Sequence, residues 1–372
     1  MEKTTVLVTG GTNGIGLETA KALAKQNMRV IIGCRDRQKG EKVVQEITRE
    51  VDGADIHLGP VLDLSQPESI RRFAKEYTYP LHVLVNNAGM NKNTNDSYSG
   101  TIPEIIQVNY LGPFLLTLLM EDKLIKHAGQ SGCASRVPFQ SRVVNVSSVT
   151  HRISGLGEGI LDNEDLPDMF MHEEKFLYGA TKLANVLFTS YMSQRWKRIG
   201  VDIHSVAVDP GSVVTGIWKN SKWENLWLIR LLFAPASDGA QAVIHAATVN
   251  FDKEKNIDTI PVKRDMAKLA EKRPKQFIDY SKSTKDFPDF RMYARGAFSW
   301  DTLTKMTNSG GYFANLTGIL HAARDWPLRN VSRGIFGNRT VPVRAHLSAY
   351  NANIVDKFFE ASSTFIGYKK LQ

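Results

Sequence analysis

The stretch Thr4-Thr5-Val6-Leu7-Val8-Thr9-Gly10-Gly11-Thr12-Asn13-Gly14-Ile15-Gly16 decides the fold. Its first half is an apolar, β-branched run that reads as a buried strand, and residues 15–26 follow at once with helical spacing. Glycines at 10, 14 and 16 suit a tight turn, close approach of the backbone to a pyrophosphate, and close packing of helix on strand. They also leave a helix N-terminus facing the phosphate charge. A glycine cluster alone is a weak signal, and a plain strand-to-helix turn is the bland reading. The strand before it and the helix after it are what give this one weight.

Working outward, residues 29–33, 55–61, 82–86, 142–147 and 202–208 read as further strands. Residues 38–50, 66–77, 101–126 and 177–199 between them carry helix-like spacing. Six such alternations predict an α/β fold, a doubly wound parallel sheet of Rossmann type with helices on both faces. After about residue 250 the rhythm fails. Residues 251–345 hold charge, Pro and Gly without a strand period, and 349–365 again reads as an amphipathic helix. The expected division is a nucleotide-binding domain over 1–250 and an extension over 251–372 packed on it, with a separate small domain as the alternative.

Composition narrows the function classes. Of 372 residues, 42% are hydrophobic and 23% charged, so the chain can bury a large core. Two cysteines, Cys34 and Cys133, cannot build a disulfide framework or a four-cysteine metal site, which fits a reducing compartment. The net charge of +9 is localised: residues 1–250 hold 26 basic and 26 acidic side chains, and 251–372 hold 21 and 12. No nucleic-acid recognition motif accompanies that excess, so no nucleic-acid partner is expected. No run reaches the ~18–20 apolar residues of a membrane span. The first strand starts too near Met1 for a targeting peptide, and a cytoplasmic location is expected.

The second strand ends at Gly33-Cys34-Arg35. Where a site for NAD places a carboxylate on the ribose 2′-hydroxyl, this chain offers a guanidinium suited to a 2′-phosphate, so NADP(H) is the expected cofactor. Asp36 next door competes with that reading, as does a merely solvated Arg35. Tyr178 and Lys182, four apart on a predicted helix, share one face. A phenol with its ordinary pKa of ~10 is a poor acid–base group at neutral pH, and a neighbouring ammonium is expected to lower it. Ser147 and Ser148 end a strand at the sheet edge where ligands bind in this architecture. Strand alternation points the two to opposite faces, so only one can serve.

Taken in order, Thr9-Gly10-x-x-x-Gly14-Ile15-Gly16, Asn86-Asn87-Ala88-Gly89, Asn109, Ser148, Tyr178-x-x-x-Lys182 and Pro210-Gly211 resemble the short-chain dehydrogenase/reductase family over roughly residues 4–250. Cys34-Arg35-Asp36, Asn145-Val146-Ser147-Ser148 with His151, and Lys182-Leu183-Ala184-Asn185 resemble its retinol-dehydrogenase-like branch, and protochlorophyllide reductases share parts of the pattern. The resemblance implies a catalytic tetrad. Tyr178 would be the acid–base group, Lys182 would lower its pKa and bind the nicotinamide ribose, Ser148 would hold the carbonyl oxygen, and Asn109 would anchor a water. It implies a cofactor site at Gly10, Thr12, Asn13, Gly14, Ile15, Gly16, Arg35, Asp63, Leu64, Asn87, Ala88, Gly89, Tyr178, Lys182, Pro210, Gly211 and Thr215. Asp63 would cap the adenine and Thr215 the carboxamide. For Asn109 the plain alternative is bridging a helix kink; for His151, a structural role is expected.

The family resemblance also makes about 212–236 a substrate lid. Trp218, Trp223 and Trp227 there would favour a hydrophobic carbonyl or alcohol as substrate; packing as core and shallow peripheral membrane contact are the other readings. Residues 155–174 read as an inserted acidic loop without a metal-ligand spacing, so no metal is expected; its charges are solvated or pair with the basic end of the chain. A homo-oligomer is expected by family habit. The leading expectation is an NADP-dependent oxidoreductase; the rivals are an NADPH-binding sensor or scaffold without turnover and a light-dependent tetrapyrrole reductase.

Overall fold

The computed structural model describes residues 3–91, 102–128, 140–171, 177–211, 213, 234–251, 291–295, 340–342 and 347–368. The chain alternates β1 (Thr5–Thr9), α1 (Gly14–Lys25), β2 (Arg29–Cys34), α2 (Arg37–Glu50), β3 (Asp55–Val61), α3 (Pro67–Glu76) and β4 (Val83–Asn86). Then come a short helix α4 (Glu104–Ile106), α5 (Gly112–His127), β5 (Ser141–Val146), α6 (Leu156–Asp162), α7 (Leu166–Met171), α8 (Leu177–Arg198) and β6 (Ile203–Asp209). Helix α9 (Ala236–Thr248), β7 (Arg291–Arg295), β8 (Thr340–Pro342) and α10 (Ala352–Phe365) complete the described elements. The strands order as β3-β2-β1-β4-β5-β6-β7-β8. All pairings through β7 are parallel, and β8 is antiparallel to β7. The expected doubly wound sheet is present.

The period of two in the strands builds both cores. Val6, Val8, Val30, Ile32, Val83, Val85, Val144, Val206 and Val208 are buried on one face against α1, α2 and α9. Leu7, Ile31, Leu84, Val143 and Ala207 face the opposite way, into a cluster with α3, α5 and α8. Each buried Val, Leu or Ile stabilises by roughly 1.5–3 kcal/mol, so a one-residue slip of any central strand would exchange both faces at once.

Three sequence expectations are revised. Residues 101–126 are not one helix: α4 passes through a π-helical turn, Gln107–Leu111, before α5 begins. The acidic stretch 155–174 is not a loop where it is described. Leu156, Ile160, Leu166, Met169 and Phe170 sit at helical spacing, are buried, and fold it into α6 and α7. Its exposed Glu164 pairs with Lys357 of α10 at 2.9 Å, so the acidic segment does meet the C-terminal end of the chain. Residues 251–345, read as free of strands, supply β7 and β8; β7 extends the parallel sheet beside β6. Among the described residues, no helix is long and apolar enough to cross a membrane.

One buried ion pair ties α5 to α8. Glu121, 1% exposed, accepts from Arg195 Nε at 3.0 Å and Nη2 at 3.3 Å, and from the Trp196 indole at 2.9 Å. Removing the acid strands a partly buried guanidinium and a buried indole N–H. Glu121→Ala is expected to cost about 3 kcal/mol, read as a lowered denaturant midpoint at unchanged slope.

Candidate active site

At the carboxyl edge of the sheet the first turn is braced from the next one. Gly10 holds φ +65°, and a Cβ there would meet Ala88 Cα at 2.9 Å; a Cβ on Gly16 would come within 2.4 Å of the Gly10 carbonyl oxygen and of Asn87 Nδ2. Asn87 Nδ2 donates to the Thr9 carbonyl at 3.0 Å, and the amides of Asn87 and Ala88 donate to Thr9 Oγ1 at 3.0 and 3.1 Å. The Asn13 carboxamide caps α1 by accepting from Gly14 N at 2.8 Å. Residues Thr12, Gly14 and Ile15 remain half-buried at the helix N-terminus, where backbone amides and the helix dipole suit a diphosphate.

The 2′ end of such a ligand would meet Arg35, which is exposed just beyond β2. Its competitor Asp36 is engaged elsewhere: Oδ1 caps α2 by accepting from Lys39 N at 3.0 Å. Asp63 is half-buried, and its Oδ1 accepts from both the amide and the hydroxyl of Ser65, at 2.9 and 2.7 Å. The Leu64 side chain is buried in the core, and its carbonyl lies against Gly112.

The chemical end is built by β5, α8 and the π-turn. Of the two serines, Ser147 donates its hydroxyl to the Lys182 carbonyl at 2.9 Å inside the protein. Ser148 is the one that hydrogen-bonds the Tyr178 side chain. His151 is buried and its Nδ1–H donates to the Ser148 carbonyl at 2.5 Å, a bracing contact. Lys182 is 3% exposed; Nζ donates to the Val146 carbonyl at 2.9 Å and stands 5.5 Å from the Tyr178 ring centre. Burial lowers its pKa to about 8, against the raising effect of the Asp209 carboxylate. For Tyr178 burial dominates and pushes the phenol well above its ordinary value; the Ser148 bond opposes this and Asp209 adds to it. The direction is opposite to the lowering expected from the lysine, so the phenol is a held proton.

Asn109 does sit at a helix irregularity, and it does more than bridge it. Oδ1 accepts from Met90 N at 2.8 Å, and Nδ2 donates to the Met90 carbonyl at 2.8 Å and to Thr181 Oγ1 at 3.2 Å. Thr181 Oγ1 in turn donates to the Tyr178 carbonyl at 2.8 Å. Gly89 faces this group: a Cβ there would lie 3.3 Å from Asn109 Oδ1 and 3.5 Å from Lys182 Nζ. The absent side chain keeps open the space between lysine, asparagine and glycine that a nicotinamide ribose would take. Donor set and opening fit a dinucleotide.

Sequence reasoning missed three members. Asp209, 1% exposed, ends β6, accepts from Gly211 N at 2.9 Å and sets the field on both Tyr178 and Lys182. Thr181 and Asn185 hold the Asn109 turn, Asn185 Nδ2 by donating to the Asn109 carbonyl at 2.9 Å. An acid directly after an apolar strand and directly before Pro210-Gly211 was the available signal. Val213 and Ala234 pair as a parallel bridge, bringing the two ends of the expected lid together. Thr215 and the three tryptophans lie outside the described residues.

Comparison with known proteins points to one family. The family model described as short chain dehydrogenase matches residues 4–158. Retinol dehydrogenase 12 of Mus musculus is 37% identical over 249 residues, covering 65% of this chain and 72% of the relative. Polyprenol dehydrogenase of Homo sapiens is 36% identical over 252 residues, covering 65% and 71%. A crystal structure of an uncharacterized protein from Mycobacterium paratuberculosis superposes with a TM-score of 0.59 at 22% identity, over 98% of this chain and 94% of that one, and so shares the fold. With the glycine turn, the Ser148–Tyr178 pair and these relatives together, the chain belongs to the short-chain dehydrogenase/reductase family, in its retinol-dehydrogenase-like branch.

Proposed function

We propose that this chain is an NADP(H)-dependent oxidoreductase acting on a hydrophobic carbonyl or alcohol of retinoid, steroid or lipid-aldehyde type, with Tyr178 as the acid–base group. The observation that carries the reading is that Asn109 and Lys182 border the opening at Gly89, with Tyr178 beside Lys182 and Ser148 beside Tyr178, on the sheet edge that also holds the glycine turn. Bound nicotinamide supplies or accepts the hydride; the remaining tasks fall to the chain. Ser148, already bonded to the phenol, is placed to bond the same substrate oxygen and aim it at Tyr178. Tyr178, kept neutral by burial, gives its proton to the alkoxide oxygen as charge develops there. Lys182, cationic below about pH 8, favours the phenolate left behind. The neutral phenol suits the reducing direction. A hydrophobic substrate is supported by the tryptophan-rich 218–227 stretch and by relatives named for retinol and polyprenol.

The test is NADPH oxidation by the purified full chain against all-trans-retinal, long-chain aldehydes and steroid ketones. Turnover of an apolar carbonyl is expected. NADPH binding without turnover of any of them in the dark would replace the reading with a sensor, and turnover only of an illuminated tetrapyrrole would replace it with a photoreductase.

NADP over NAD is supported by the exposure of Arg35 beside an Asp36 engaged in capping. Removing a charge-assisted phosphate contact costs roughly 1.5–3 kcal/mol. Arg35→Ala is therefore expected to weaken NADPH binding about 10- to 100-fold in titration calorimetry while leaving NADH binding unchanged; equal losses for both would place the 2′-phosphate elsewhere.

A further inference from the structure

The π-turn that carries Asn109 is held from two sides. Toward the active site, Asn109 bonds Met90 and Thr181, and Asn185 bonds its carbonyl. On the other side the next residue, Tyr110, 1% exposed, reaches α10, some 250 residues further along the chain. Its ring stacks on Phe358 with centres 5.2 Å apart and planes 23° apart. Its hydroxyl meets Ser362 Oγ at 2.7 Å. Ser362 gives its own proton to the Phe358 carbonyl at 2.7 Å, so the phenol is the donor in that pair. Phe358 and Ser362, four apart, form one stripe of α10, and both are buried. Phe359 continues the seam, stacking on Tyr191 with centres 3.5 Å apart and meeting Phe114 at 5.3 Å.

A π-turn is rare and less favourable than the α-helix on either side, and it persists where its surroundings over-determine it. Relaxation to the α register would displace the turn by one residue, about 100° around the helix axis. That rotation would carry Asn109 off Met90 and Thr181 and leave Thr181 Oγ1, which donates to the Tyr178 carbonyl, without the Asn109 donor it accepts from. Tyr110 is the anchor that opposes it, and its own anchor is α10, outside the residues that the family model matches.

We propose that α10 is a positioning element of the catalytic centre: through Phe358 and Ser362 it locks Tyr110, and through Tyr110 it holds the π-turn that presents Asn109 to Thr181 and Lys182. The inference rests on the reading of Tyr178, Lys182 and Asn109 as the reacting machinery.

The test uses the full chain with Tyr110→Phe, Ser362→Ala and the double variant. Ser362→Ala alone buries an unpaired hydroxyl and is expected to lower stability, whereas the double variant removes both partners and should recover it. Against all-trans-retinal the stable double variant is expected to lose about tenfold in kcat, with KM for NADPH unchanged. Hydrogen exchange of amides 107–112 is expected to quicken in the same protein, with the sheet amides unaffected. A double variant with wild-type kcat and wild-type exchange in the turn would overturn the proposal and leave α10 as packing. Tyr178→Phe run beside it separates the two failures. If Tyr178→Phe is inactive and the double variant fully active, only the role of α10 falls; if Tyr178→Phe is active, the reading of the site falls first.

Discussion

Tyr178→Phe is expected to fold, to retain NADPH binding, and to lose turnover by about 1,000-fold, within the ~100- to 10,000-fold that a positioned acid contributes. The hydroxyl has one described side-chain partner, Ser148, so its loss costs stability no more than about 1 kcal/mol. Its loss to chemistry is far larger. Burial holds the proton on the phenol at neutral pH, and the Ser148 hydroxyl beside it favours the phenolate that forms when the proton leaves. Phenylalanine fills the same space with no proton to give, and Lys182, bonded to the Val146 carbonyl and 5.5 Å from the ring centre, is poorly placed to substitute. Rapid-mixing measurement of NADPH oxidation separates the intact binding step from the lost chemical one.

Lys182→Met is expected to be inactive and, near neutral pH, more stable than the parent. An ammonium buried to 3% exposure has its pKa drawn from 10.5 to about 8, so the folded state holds the proton less tightly than the unfolded chain does. The penalty is fully present below pH 8. As pH rises from 8 to 10.5 the folded protein has lost the proton while the unfolded chain still binds it, and stability climbs by about 3 kcal/mol relative to a chain without the group. Methionine removes that penalty and leaves the Val146 carbonyl without its donor, a cost of about 1 kcal/mol, so the net gain near pH 7 is about 2 kcal/mol. Denaturant melts of parent and variant across pH 7 to 10 check both the gain and its disappearance at the alkaline end. The same titration sets activity: the parent's kcat/KM is expected to fall as pH rises through about 8, where Lys182 loses the charge that favours the phenolate.

What was legible in the sequence follows its periodicities. Strands of period two at 55–61 and near 4–9, 29–33 and 202–208 lie where they were expected, with ends shifted by a residue. The motifs on their carboxyl ends come together because parallel strands place them on one edge. An extra residue in a helix leaves the apolar pattern of 101–126 almost unchanged, so the π-turn was hidden. In 155–174 the charges drew attention from apolar positions 156, 160, 166, 169 and 170, which carry two helices. Strand β7, Arg291–Arg295, is too short and too charged to announce itself; pairing with β6 makes it a strand. The site residues were readable as types, but their charge balance was not. That Asp209 and burial would outweigh Lys182 at the phenol depends on depth and direction, which no spacing encodes.

The most direct test of the central claim is transfer of deuterium from NADPH labelled at nicotinamide C4 into an apolar aldehyde, all-trans-retinal first, followed by mass spectrometry of the alcohol. One deuterium is expected at the carbinol carbon with the parent protein, and at equal times about a thousandth as much labelled alcohol with Tyr178→Phe, although both bind the cofactor. Equal amounts of labelled alcohol from the two proteins would contradict the claim, because the proton would then come from a group other than Tyr178.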